Sequence, residues 1–105
     1  MKTVTGYKNY REYILDYYKE RKRCSAFTWR EFAKIAGFAS GSYLKLVCDG
    51  KTRLREEGAK KTALAMGLLG FEYDYFILMV RYENAKTDKE KKKCLNLLKN
   101  AIFVF

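Results

Sequence analysis

Three cationic side chains lie close together in a short segment near the middle of this chain. Lys51, Arg53 and Arg55 fall within five residues, and Thr52 adds a hydroxyl group between the first two. Ammonium, guanidinium and hydroxyl groups all donate hydrogen bonds to phosphate oxygens, and the first two also neutralise phosphate charge. The segment therefore has the chemistry of a polyanion contact, although basic loops are often only solvated.

The charge of the whole chain indicates the same kind of partner. Its 105 residues include 22 lysines and arginines and 12 aspartates and glutamates, which gives a formal net charge of +10. An excess of this size on so short a chain favours a polyanionic partner. Apolar residues make up 49% of the chain, which is enough for one packed core. We therefore expect a single domain over residues 1–105.

The residue types that are absent or rare exclude several kinds of chemistry. The chain has no histidine, which is the commonest general base near neutral pH and the commonest metal ligand. Cys24, Cys48 and Cys94 are single and widely spaced, so they form neither a Cys-x-x-Cys motif nor a disulfide framework. No nucleophile has a base beside it in the sequence. We therefore expect no enzymatic activity, no metal and no cofactor.

The same features bear on localisation. Lys2 is followed by no apolar run, and no later stretch approaches the roughly 18 apolar residues that span a bilayer. Free thiols are typical of a reducing compartment. We therefore expect a cytoplasmic protein with no membrane partner.

Apolar periodicity and capping motifs predict an all-α domain of five to six helices. From residue 9 to residue 23, large residues recur at the i, i+3, i+4 and i+7 spacing of an amphipathic helix. Thr28-Trp29-Arg30-Glu31 and Thr87-Asp88-Lys89-Glu90 are capping boxes, and the second begins a C-terminal helix at about 88–104. Other helices are predicted after Ser40, over about Arg55–Met66 and over Phe71–Glu83.

Two short helices in front of the basic segment have the pattern of a helix-turn-helix at about residues 28–50. This motif needs a small residue where its helices cross, a glycine at the turn and an apolar residue just after it. Ala33, Gly37 and Phe38 supply these in order, and Leu44 and Val47 form the inner face of the second helix. The turn or the second helix is about one residue longer than is usual for this motif. The sequence therefore leaves two registers, one residue apart, for the recognition helix.

This pattern resembles the lambda-repressor-like helix-turn-helix of Cro and xenobiotic-response-element regulators, where a glycine and a basic residue also follow the second helix, as in Gly50-Lys51. More closely, the chain is similar over roughly residues 9–93 to the N-terminal region of an uncharacterised bacterial family whose members resemble DNA-binding regulators. The similar runs are Tyr10-Arg11-Glu12-Tyr13, Ser42-Tyr43-Leu44-Lys45-Leu46-Val47 and Glu72-Tyr73-Asp74-Tyr75-Phe76. The resemblance implies a lambda-repressor-like fold and a transcriptional regulator that binds double-stranded DNA.

A helix-turn-helix places the N-terminal part of its second helix in the major groove. On that basis the candidates for base contacts are Ser40, Gly41, Ser42 and Lys45. Ser42 can donate or accept, Lys45 can reach guanine or merely a phosphate, and Gly41 allows a close backbone approach. The candidates for phosphate contacts on either side are Thr28, Arg30, Lys51, Thr52, Arg53 and Arg55.

Other interpretations of these residues stay open. Ser40 is a good N-cap with or without DNA. The basic clusters at residues 19–23 and 89–93 lie outside the motif, and we expect them to be solvated helix faces. Nine tyrosines among basic residues are compatible with stacking on single-stranded nucleic acid. Helical spacing instead assigns three of them to a buried stripe whose hydroxyl groups reach the surface: Tyr10, Tyr13 and Tyr17.

The alternative function is a protein-interaction or oligomerisation module that keeps the helix-turn-helix scaffold without sequence readout. Lys45 is the one long polar side chain on the outward face of the second helix, which is compatible with this alternative. The apolar run Phe103-Val104-Phe105 and the aromatic residues from Tyr73 to Tyr82 are candidate surfaces for a homodimer or for a further C-terminal region.

Overall fold

Helices make up the regular structure of residues 2–104, the part of the chain that this computed structural model describes, with side chains described for residues 2–100. A 3-10 helix at Val4–Gly6 comes first. The α-helices then follow in the order α1 Tyr10–Cys24, α2 Trp29–Ala36, α3 Tyr43–Cys48, α4 Glu56–Ala65, α5 Phe71–Asn84 and α6 Asp88–Val104. The described residues contain no strand, so the all-α prediction is confirmed.

The aromatic stripe of α1 forms the centre of the core. Tyr10 and Tyr13 are buried. The centroids of their rings lie 6.4 and 6.2 Å from the centroid of the Phe76 ring in α5. Aromatic pairs at this separation add to the stabilisation from burial. Tyr17 is half-buried. The prediction that these hydroxyl groups reach the surface is wrong for Tyr10, whose oxygen accepts a hydrogen bond from the buried Leu54 amide at 3.3 Å.

The aromatic residues of α5 face the core rather than solvent. Tyr75 and Phe76 are buried, and Tyr73 and Tyr82 are half-buried and pack against the core. This segment therefore exposes part of Tyr73 and Tyr82 but not Tyr75 or Phe76, and a partner surface there stays a prediction. The other candidate surface, Phe103-Val104-Phe105, lies outside the residues whose side chains the structure describes.

Local hydrogen bonds determine where α2 begins and ends. The Thr28 side chain accepts from the Glu31 amide at 3.1 Å, as the capping box predicts. At the other end, Gly37 takes the left-handed conformation with φ +89°, and the Phe38 amide donates to the Ala33 carbonyl at 2.9 Å. This is a Schellman ending, which satisfies helix carbonyls that otherwise lack partners.

The turn between α2 and α3 is seated on α4. A Cβ atom at Gly58 in α4 would lie 3.4 Å from the Phe38 ring and 3.0 Å from Leu54, so the absence of a side chain there makes room for both residues. The Phe38 ring also packs on Tyr43, with the ring centroids 4.8 Å apart. Phe38, the residue after Gly37, therefore holds the turn against α4 and α3, as its apolar character predicts.

The start of α3 differs from the prediction. Ser40 is not its N-cap: the helix begins at Tyr43, and Ser42 occupies the N-cap position without a capping hydrogen bond from its side chain. The hydroxyl oxygens of Ser40 and Ser42 lie 3.3 Å apart, so the two serines interact with each other instead.

No helix in the described part of the chain is long and apolar enough to cross a membrane.

We expect Gly37→Ala to lower the free energy of unfolding by about 1–2 kcal/mol, because left-handed backbone is unfavourable for a residue with a Cβ atom. Apart from Gly37 and its two chain neighbours, no residue has an atom within 4 Å of the position that this Cβ would take, so the loss comes from the backbone conformation. Gly37→Asn is the matched control and should lose less, since asparagine tolerates this conformation. Urea unfolding measures both variants, and an alanine variant as stable as the parent protein contradicts the prediction.

Candidate nucleic-acid interface

The short helix α3 has one buried side and one exposed side. Leu44 and Val47 are fully buried. The exposed side chains follow the i, i+3, i+4, i+7 spacing and lie within about 100° of one another around the helix axis. We call this set the α3 face; it consists of Ser42, Lys45, Leu46 and Asp49. Two of the four residues predicted to contact bases, Ser42 and Lys45, therefore share one solvent-facing surface.

The other two predicted base contacts lie at the edge of this surface. Ser40 is exposed, whereas Gly41 is half-buried under the side chain of Arg30 from α2. A Cβ atom at Gly41 would lie 3.1 Å from the Arg30 Cγ atom. The space that glycine leaves is therefore used by the stem of Arg30, which places its guanidinium group beside the start of α3.

The basic segment at residues 51–55 is held to the core by its backbone. The Tyr43 hydroxyl donates to the Arg53 carbonyl at 3.1 Å, which ties the segment to α3. The Leu54 amide donates to the Tyr10 hydroxyl in α1, and the Leu54 carbonyl accepts from the Asn84 side chain in α5 at 2.7 Å. The exposed side chains of this held segment are Lys51, Arg53 and Arg55. Preorganised cations lose less conformational entropy when they bind.

Arg11 connects the basic segment to the end of α3. Its Nε donates to the Val47 carbonyl at 2.9 Å, and its Nη2 donates to the Thr52 carbonyl at 3.4 Å. A cation near the C-terminal carbonyls of a helix also interacts favourably with the helix dipole. The Cys48 thiol donates in turn to the Arg11 carbonyl, with the sulfur 3.8 Å from the oxygen. Arg11 of α1 is therefore hydrogen-bonded both to α3 and to the basic segment.

Positive charge surrounds the α3 face. Between residues 28 and 55 the two carboxylates are Glu31 and Asp49. The same range holds six cationic side chains, all of them exposed: Arg30, Lys34, Lys45, Lys51, Arg53 and Arg55. Four of the six are the cations predicted to contact phosphate, and Lys45 is the cation of the face itself.

Sequence reasoning missed two cations near this surface. An open cleft of about 370 Å³ lies between α2 and the turn, lined by Arg30, Lys34, Phe38, Ala39 and Gly41. Lys34 stands four residues after Arg30, so helical spacing was a sufficient signal to find it. Lys61 of α4 places its ammonium nitrogen 5.9 Å from the centroid of the Phe38 ring. Its position depends on tertiary packing, and no local pattern indicates it.

The two threonines predicted to contact phosphate have partners within the protein. The Thr28 hydroxyl oxygen accepts the capping hydrogen bond, which leaves its proton to donate. Thr52 is half-buried, and its carbonyl accepts from Arg11. Both residues therefore have a structural role in addition to any contact with a ligand.

The basic cluster at residues 19–23 interacts with neighbouring aromatic and acidic groups. The Arg21 guanidinium lies 4.5 Å from the centroid of the Phe27 ring and donates to the Tyr17 hydroxyl at 2.8 Å. Arg23 pairs with Glu20 at 3.4 Å. The lysines of α6 at residues 91–93 are exposed. These positions agree with the expectation of solvated helix faces.

We expect Cys48 to react slowly with iodoacetamide at pH 8 in the folded protein. Burial first, and then the carboxylate of Asp49, raise the pKa of the Cys48 thiol to about 12, against the opposite effect of Arg11. Because the thiolate is the reacting species, the exposed Cys24 should be alkylated first. Mass spectrometry of peptides from a time course measures both rates. Equal rates before unfolding contradict the prediction, whereas in urea the two rates should converge.

Comparison of the chain with protein-family models, curated proteins and solved structures finds no match. Within residues 2–100, no group of three or more cysteine, aspartate or glutamate side chains is placed to hold a metal ion. The α3 face and its surroundings indicate a function through their exposure, charge and hydrogen bonding.

Proposed function

We propose that this chain binds double-stranded DNA and acts as a bacterial transcriptional regulator or as the DNA-binding part of one. In this proposal α2, the turn and α3 form a lambda-repressor-like helix-turn-helix, and α3 enters the major groove, whose width admits an α-helix. One observation carries the proposal: Ser42 and Lys45 face solvent on a helix that is bordered by exposed cations on a hydrogen-bonded framework.

Each group of side chains has a distinct role in this proposal. Lys45 donates to the O6 and N7 edge of a guanine, and Ser42 donates to or accepts from a neighbouring base. Arg30 of α2 and Arg53 of the basic segment contact phosphates that border the bound groove. The phosphate contacts supply affinity and orientation, and the base contacts supply sequence preference.

Duplex binding should weaken steeply as salt concentration rises, because each phosphate that is neutralised releases condensed counterions. The logarithm of the binding constant should fall with the logarithm of salt concentration, with a slope of about −0.9 for each phosphate contacted. Fluorescence anisotropy of labelled duplexes from 50 to 200 mM salt, roughly the range in which such losses are seen, measures the slope. Absence of binding to any duplex at physiological salt contradicts the proposal and favours the interaction module instead.

Two substitutions should separate sequence readout from phosphate contact. On a duplex selected from a random pool, Lys45→Ala should cost about 1–3 kcal/mol, and on unrelated duplexes it should cost little. Arg53→Ala should weaken both kinds of duplex alike and reduce the salt slope by about 1. Lys92→Ala, an exposed lysine of α6, is the matched control and should change neither quantity. Equal behaviour of the three variants contradicts the assigned roles.

A further inference from the structure

Leu46 is a partly exposed apolar side chain on the α3 face. It is 37% exposed, whereas Leu44 and Val47 on the opposite side of the same helix are fully buried. Single exposed leucines are common on protein surfaces, so exposure alone carries no inference. The position of Leu46 is informative because Lys45 precedes it and the proposed function directs this face toward DNA bases.

The chemistry of the α3 face suits base edges better than it suits phosphates. Asp49 carries a negative charge, and Leu46 carries no polar group, so neither favours contact with a phosphate oxygen. Apart from Lys45, the cations that do favour such contact lie beyond the face, on α2 and on the basic segment. A face that combines a serine, one cation, one apolar and one acidic side chain within a cationic border matches a groove in which base edges lie between two rows of phosphates.

One group in the major groove matches an apolar side chain. The edges of the base pairs present hydrogen-bond donors and acceptors, and thymine alone adds a C5-methyl group. We propose that Leu46 packs on the methyl group of a thymine and thereby specifies one base of the bound sequence. This inference rests on the proposed function. Leu46 projects about 100° around the helix from Lys45, so the two side chains reach different bases.

The test uses duplexes that differ by a single methyl group. A duplex is first selected from a random pool, and each thymine is then replaced in turn by deoxyuridine, which keeps the base pair and its hydrogen bonds. At one position the wild-type protein should bind the deoxyuridine duplex about fourfold more weakly, the effect of removing one buried methyl group. Leu46→Ala should bind the two duplexes equally, and Leu46→Met should still discriminate.

A matched control separates this effect from a general loss of apolar surface. Leu64 in α4 is 57% exposed and lies outside the α3 face, so Leu64→Ala should keep the full discrimination. The inference is overturned, and DNA binding stands, if no thymine position is sensitive or if Leu46→Ala still discriminates. Absence of binding to every duplex overturns the inference together with the proposed function.

Discussion

The position of α3 depends on one partly buried hydrogen-bonding centre, the guanidinium group of Arg11. This group donates to the Val47 carbonyl at the end of α3 and to the Thr52 carbonyl in the basic segment. The backbone carbonyl of Arg11 accepts from the Cys48 thiol. A six-residue helix is too short to be stable alone in water. Its orientation therefore comes from these contacts and from the burial of Leu44 and Val47.

Much of the fold was predictable because its signals are local. The spacing of large residues predicted α1, and the Thr28 capping box and Gly37 predicted both ends of α2. Ser40 misled because three good turn residues follow one another at 40–42, and each of the two serines suits an N-cap. Between the two serines Arg30 lies against Gly41, which is a tertiary contact that the sequence pattern does not contain.

The candidate site was predictable in outline for the same reason. Once Leu44 and Val47 are assigned inward, helical geometry alone places Ser42 and Lys45 outward. The supporting contacts were not predictable, because they join residues that are far apart in the sequence. The side chain of Arg11 binds carbonyl groups that lie 36 and 41 positions further along the chain. The side chain of Asn84 binds a carbonyl group that lies 30 positions before it. The exposed cations are thus visible in the sequence, whereas the framework that holds them is visible only in the structure.

The hydrogen bond from Asn84 to Leu54 connects two distant parts of the chain mechanically. Asn84 is the last residue of α5, directly before the connection to α6, and Leu54 lies between the two arginines of the basic segment. The acceptor of this bond is the carbonyl of the residue that separates Arg53 from Arg55, so the side chain of Asn84 holds the backbone from which both cations project. The end of α5 and the cationic border of α3 are therefore parts of one hydrogen-bonded framework.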